Sequence, residues 1–262
     1  MPYCININIA DIWSEPRYNS ERTTQALFNE PIELLEKGKE YSLVRLLDDG
    51  YEGYINNNFF SDDNLQCNSS HIVSASIAIA YMGADLKAQA TAIIPFTSKI
   101  KVKEHLENFV MCETARCGEI YLNIEDLTPI EQTPKLSRDT ISVFIDYIRR
   151  FVGVPYLWGG KSFFGFDCSG LIQTNLKFFG IDFPRDTKDQ IKRGREVSRQ
   201  EIKTGDLMFF DRHVALAISN IEFIHSSQSQ GGVYPGSFDA ADSYYRKDLD
   251  ENLKTVRRII ED

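Results

Sequence analysis

One stretch constrains this chain more than any other: PYLWGGKSFFGFDCSG at positions 155–170. An apolar segment, 171–179, follows directly and ends at Gly180. A glycine-rich approach leading into a helical pattern puts Cys168 at a helix N-terminus. Unpaired N–H groups and the positive end of the helix dipole lie there. Such a position predicts a lowered thiol pKa and a thiolate nucleophile. The competing reading is a buried Cys that packs as a small hydrophobe. The polar neighbours Asp167 and Ser169 argue against it. So do the glycines from Gly159 onward, which let a substrate backbone come close.

The rest of the chain divides around this stretch. Residues 1–68 read as all-β: 40–47 and 51–55 are two short strands about the Asp48, Asp49, Gly50 turn. Upstream, 13–17 reads as a loop and 20–28 as a strand; Asn56, Asn57 and Asn58 close the unit. Residues 69–130 repeat the style, with strands expected in 72–82, 92–96, 109–112 and 118–122, and a turn at Gly83. We read two small β-barrels in tandem, with 128–137 as a Pro-bearing linker. From 137 the pattern changes. Ile141, Phe144, Ile145, Ile148, Phe151 and Val152 lie on one helical face, with Ser137 as N-cap and Gly153 and Pro155 as stop. After the Cys168 helix come a short helix in 184–190 and strands at 207–210, 213–218, 222–226 and 255–260. Helices followed by an antiparallel sheet make residues 131–262 an α+β domain.

Composition narrows the function. At 262 residues the chain holds one to three domains, given a prior of ~150 residues each. With 42% hydrophobic residues it can build real cores. The net charge is −9 and no basic stripe occurs, so nucleic acid is not an expected partner. No segment approaches the ~20 apolar residues that span a bilayer, and the start of the chain does not read as a signal peptide. A soluble, cytoplasmic protein is the expectation. Five Cys is an odd number, so at least one cannot pair internally. Cys112 and Cys117 are near enough in sequence to bridge, but free thiols are expected. The four His and five Cys show no metal-ligand spacing, and neither a metal nor an organic cofactor is expected.

A Cys nucleophile needs a base, and the base an orienting group. Two histidines lie downstream on strands expected to pair as a hairpin, where residues near adjoining ends lie side by side. His213 as base and His225 as orienter complete Cys-His-His. His71 and His105, in the β half, read as surface residues.

These features carry a resemblance. PYLWGG (155–160), FDCSG (166–170), PRDTKDQ (184–190), GDLMFF (205–210), HVA (213–215) and IHS (224–226) occur in the order of the NlpC family of cell-wall cysteine peptidases. The resemblance implies a papain-like fold, with Cys168 as nucleophile, His213 as base and His225 as third residue. It also implies cleavage between γ-D-Glu and a diamino acid, diaminopimelate or L-Lys, in murein peptides. The chain departs from the family where many members have Gly-His-Val: here Asp211 and Arg212 precede His213. SERTTQ (20–25) and DGYEGY (49–54) resemble the paired bacterial SH3-like domains of the subgroup that cuts free murein peptides. In that subgroup the first such domain narrows the site to substrates with a free N-terminal L-Ala. By that likeness Glu21 and Tyr51 face the substrate amine, and Asp167 and Ser169 hold the same end. A solvated loop charge and a barrel residue are the plainer readings of Glu21 and Tyr51. Tyr156 either donates to the oxyanion, together with the Cys168 backbone N–H, or packs under Trp158. Two rival readings are an exported hydrolase of intact wall and an inactive module that only holds wall peptide.

Overall fold

In the computed structural model, which describes residues 3–62 and 69–260, the chain forms two compact units, Met1–Thr133 and Pro134–Asp262. The first unit is all-β and has two cores. Among the described residues, β1 (Tyr3–Ile5), β2 (Ile9–Trp13), β3 (Arg22–Leu27), β4 (Pro31–Glu36), β5 (Tyr41–Leu46), β6 (Glu52–Asn56) and β7 (Phe60–Ser61) form one antiparallel sheet, ordered β3-β2-β6-β5-β4-β1-β7. Strand β5 alternates strictly, with Ser42, Val44 and Leu46 inward, as one buried face requires. The β5–β6 turn closes at Gly50, whose φ of +74° favours a residue without Cβ. Ile12, Ala26, Ile32, Val44, Leu46 and Ile55 make the core.

The second part of this unit contains β8 (His71–Val73), β9 (Ile77–Tyr81), β10 (Ala90–Pro95), β11 (Lys99–Ile100), β12 (Glu104–Leu106), β13 (Phe109–Thr114), β14 (Gly118–Asn123) and β15 (Leu127–Pro129). They form the sheets β10-β9-β14-β13-β12 and β11-β8-β15. Val73, Ala80, Ile94, Val110, Ile120 and Leu122 fill the core, and so does Phe28, from the turn after β3. Asn29, beside it, donates to the Lys99 carbonyl at 2.8 Å. The two barrels therefore interlock rather than sit as beads on a string.

Several expectations change here. Trp13 ends a strand instead of opening a loop. Thr128 and Pro129 pair with β8, so the chain leaves the barrels at 133 rather than at 128. His71 is buried, not superficial: its β8 strand lies between β11 and β15, and its Nδ1 meets Ser70 Oγ at 2.9 Å. Cys4, Cys112, Cys117 and Cys168 are free thiols; Cys67 lies outside the described residues.

The second unit packs helices on a sheet. It contains α1 (Ile141–Arg149), β16 (Lys161–Ser162), β17 (Gly165–Phe166), α2 (Cys168–Phe178), α3 (Thr187–Gln190), β18 (Arg195–Val197), β19 (Leu207–Phe210), β20 (His213–Ala217), β21 (Glu222–Ser227), β22 (Gly232–Ser237), α4 (Lys247–Asp250) and β23 (Thr255–Arg258). The main sheet is antiparallel, ordered β18-β23-β19-β20-β21-β22, and α2 lies on β20 and β21. Helix α1 covers α2 through Phe144 against Phe179 (5.2 Å) and Tyr147 stacked on Phe178 (4.7 Å). The α1 N-cap is Thr140 rather than Ser137; the Ser137 N–H donates to Thr140 Oγ1 at 2.9 Å instead. Val152, expected on the apolar face, is exposed; α1 ends at Arg149, and of Phe151 and Val152 in the turn after it only Phe151 turns inward. Helix α2 is buried almost all round, so its polar side chains must find partners inside: Gln173 donates to the Phe183 carbonyl and Thr174 to the Lys161 carbonyl.

Candidate active site

The N-terminus of α2 is built by close backbone approach. The Asp167 N–H donates to the Gly160 carbonyl at 3.1 Å. A Cβ on Gly170 would lie 2.1 Å from that same carbonyl oxygen. This contact explains the glycine at 170; a Cβ on Gly160 would instead lie 2.3 Å from the Gly165 carbonyl oxygen, so only a bare backbone fits there too. Asp167 caps the helix, with extended φ/ψ and Oδ1 accepting from the Gly170 N–H at 2.6 Å. The same Oδ1 takes Ser169 Oγ–H and Arg185 Nη1, while Oδ2 takes the Gly159 N–H and Arg185 Nη2 at 2.6 Å. Arg185 also donates to Ser169 Oγ at 2.9 Å, and its side chain is 2% exposed.

This arrangement corrects one expectation. A carboxylate offers about four lone-pair sites. Five donors already converge on Asp167, and the Arg185 charge balances its own. Asp167 and Ser169 are thus built into the scaffold that presents the nucleophile, and their polar atoms are not left over for a substrate ammonium.

Cys168 is the first residue of α2, with its thiol pointing at the start of β20. Sγ lies 3.9 Å from the Arg212 carbonyl and 3.8 Å from Thr187 Oγ1. Arg212 has φ +54°, the left-handed region that favours glycine. The departure from the family's Gly at this point therefore keeps a glycine-like backbone under a large side chain. Burial pushes the Cys168 thiol up to about 11, with the Asp167 charge adding to it. The hydrogen bonds from Val214 and Thr187 and the Arg185 charge do not offset this, so the expected low-pKa thiolate is not the resting state.

His213 opens β20 and His225 lies near the end of β21, whose pairing sets Leu216 opposite Ile224. His213 Nε2 and His225 Nδ1 are 2.7 Å apart. His225 Nε2 meets Gln230 Oε1 at 2.8 Å. Burial holds both rings neutral: His213 falls to about 4 and His225 to about 3, helped by the nearby Arg246 charge. Nε2 of His213 is thus engaged, which leaves Nδ1 for a thiol proton.

Tyr156 bridges to Phe166, and its hydroxyl is held protonated by burial, with the Asp167 charge adding to it. It remains a donor at neutral pH. Glu21 and Tyr51 belong to the other unit. Glu21 is exposed beside the β2–β3 turn, and Tyr51 is half-buried against the first barrel's core. Arg185, Thr187, Gln230 and Arg246 were not singled out from the sequence. The first two lie inside the PRDTKDQ motif; the last two carry no local signal.

A thiol at a helix N-terminus, a neutral imidazole and a second imidazole to orient it form the working set of a cysteine peptidase. Residues 153–255 match the NlpC/P60 family, and residues 12–58 match the bacterial dipeptidyl-peptidase Sh3 domain. The chain is similar to the gamma-D-glutamyl-L-lysine dipeptidyl-peptidase of Bacillus subtilis (strain 168), 28% identical over 79% of this chain and 72% of that protein. It is also similar to the probable endopeptidase NlpC of Escherichia coli (strain K12), 34% identical over 46% of this chain and 81% of that protein. A crystal structure of an NlpC/P60 family protein from Bacillus cereus ATCC 10987 has the same fold, with a TM-score of 0.86, 21% identity and full coverage of both chains. The chain belongs to the NlpC/P60 family.

Proposed function

We propose that this protein is a cysteine endopeptidase that cuts murein peptides between γ-D-Glu and the diamino acid, requires a free N-terminal L-Ala, and serves cytoplasmic recycling of cell-wall peptide. The observation that carries the reading is the hydrogen-bonded pair His213–His225, 2.7 Å apart on the adjacent strands β20 and β21, with the Cys168 thiol 3.9 Å from the Arg212 carbonyl just before β20. The Sh3 domain match over residues 12–58 and the name of the Bacillus subtilis relative support the substrate class.

The chemistry follows from the neutral resting state. Cys168 Sγ attacks the γ-carbonyl carbon while its proton passes to His213 Nδ1. Tyr156 Oη and the Cys168 N–H, which has no partner within the helix, face the developing oxyanion. Collapse breaks the C–N bond, and His213 returns the proton to the leaving amine. Water then attacks the thioester, again losing its proton to His213, and L-Ala-γ-D-Glu leaves with the thiol restored. His225 keeps the His213 ring in place throughout. Glu21 and Tyr51 are assigned to recognition of the L-Ala end.

The test is product analysis by mass spectrometry. L-Ala-γ-D-Glu-L-Lys and its diaminopimelate counterpart should yield L-Ala-γ-D-Glu, the N-acetylated peptide and whole sacculi should react at least ~30-fold more slowly, as loss of a charged contact of 2 kcal/mol or more implies. Cys168→Ala should abolish turnover. Equal rates on free, acetylated and sacculus substrates would return the protein to general wall hydrolysis.

A further inference from the structure

Beyond the Cys-His-His set, the turn between β21 and β22 brings a side-chain network against the far face of His225. Arg246 Nη1 donates to Gln230 Oε1 at 2.6 Å, and Nη2 reaches Ser229 Oγ at 3.3 Å. Asp248 holds the guanidinium from the other side, with Nε to Oδ1 at 2.9 Å and Nη2 to Oδ2 at 2.7 Å. The Arg246 backbone is tied to β22, its N–H donating to the Ser237 carbonyl at 2.9 Å. Arg246 is therefore fixed at both ends.

A guanidinium has donors and no acceptor. The Gln230 atom that meets Arg246 must then be the carbonyl oxygen, which settles the orientation of the amide. That oxygen also meets His225 Nε2 at 2.8 Å. Two acceptors would repel there, so Nε2 carries the hydrogen. A neutral imidazole has one N–H, so His225 Nδ1 is bare, and the hydrogen in its 2.7 Å contact comes from His213 Nε2. One consequence remains: His213 Nδ1 is bare and is the basic nitrogen. Arg246 lies 3.4 Å from His225 Nε2, farther than Gln230, so it does not displace the amide as partner.

We propose that Gln230, oriented by Arg246, is a positioning residue that sets the tautomer of both histidines and thereby makes His213 Nδ1 the base for the Cys168 thiol. The proposal rests on the reading of Cys168 and His213 as nucleophile and base. Which ring nitrogen is protonated is set by the hydrogen bond the other makes. Without the amide oxygen, His225 is free to carry its hydrogen on Nδ1, which turns the donor toward His213 and breaks the chain of bonds. The uncharged state of both rings leaves no second proton to repair it.

The test compares Gln230→Leu, which removes the acceptor, with Gln230→Glu, which keeps one, using L-Ala-γ-D-Glu-L-Lys at pH 7. Gln230→Leu should lower kcat by ~10- to 100-fold with little change in KM, the range seen when a ligating histidine loses its outer hydrogen-bond partner. Gln230→Glu should stay within about threefold of wild type, an order below the same benchmark. Long-range 1H–15N spectra of the resting protein should show hydrogen on Nε2 of both His213 and His225, and a shift of His225 toward Nδ1–H in Gln230→Leu. A wild-type His225 protonated on Nδ1 would overturn the proposal. So would unchanged kcat in Gln230→Leu, or equal loss in both variants. The spectra do not depend on turnover, so an active Cys168→Ala would sink the cysteine mechanism while leaving the tautomers as a separate result.

Discussion

Replacing Asp167 by Asn separates two roles for that residue. Asn keeps the helix cap, since it is among the preferred N-cap residues. It removes the charge opposite Arg185, whose side chain is 2% exposed and whose bridge to Asp167 is 2.6 Å. Breaking one side of a buried ion pair leaves the other charge uncompensated and costs about 3–5 kcal/mol. Against a total stability of about 5–15 kcal/mol, that is at least about a fifth of what holds the fold and, at the low end of stability, most of it. At ~2–4 °C per kcal/mol, the melting temperature of the full chain should fall by about 6–20 °C. Arg185→Met should do similar damage, because it leaves the carboxylate with only Gly159, Gly170 and Ser169 as donors. The double variant should be less unstable than the two losses added, by ~2 kcal/mol or more, as contacting partners require. Calorimetry and urea titration of the four proteins measure this. Below its melting temperature, Asp167→Asn should still prefer a free L-Ala amine over an acetylated one. Additive losses with a melting shift under ~3 °C, together with loss of the free-amine preference, would refute the structural role and return Asp167 to substrate capture.

Two further outcomes follow from the same geometry. Alkylation of Cys168 by iodoacetamide, tracked by peptide mass spectrometry, should rise about tenfold per pH unit from pH 6 to pH 10, since a thiol at about 11 stays protonated across that window and only the thiolate reacts; a plateau with a midpoint below ~7, the range of thiols lowered by a helix N-terminus or a cationic neighbour, would refute the protonated resting thiol. Phe28→Ala should cost about 3–5 kcal/mol by emptying a buried aromatic site, and hydrogen exchange should show the loss in β9 and β14, whose residues line that core, although Phe28 belongs to the first barrel's sequence; unchanged protection there would refute the interlocked barrels.

Local signals carried much of this protein. The glycines before Cys168 and the apolar run after it were enough to place α2, because helix capping and periodicity act within a few residues. The β5–β6 hairpin was legible from its Asp-Asp-Gly turn, and the His213–His225 pair from two strand patterns joined by a short turn. What the sequence left open are the contacts between distant segments. Asp167 looked like a spare carboxylate until Arg185, 18 residues on, was seen folded back onto it. The position of Cys168 at a helix start argued for a low pKa, but burial and a neighbouring charge are products of packing, and they push the thiol up. His71 carried no sign of burial, since its strand neighbours come from β11 and β15, where its partners Ile100 and Pro129 are 29 and 58 residues away. Gln230 and Arg246 had no pattern to mark them, because the oxygen that orients His225 is itself oriented by an arginine 16 residues further along. Backbone preferences are set by near neighbours and can be read in order; charge balance, burial and proton placement are set by whatever the fold brings alongside, so only the tertiary structure decides them.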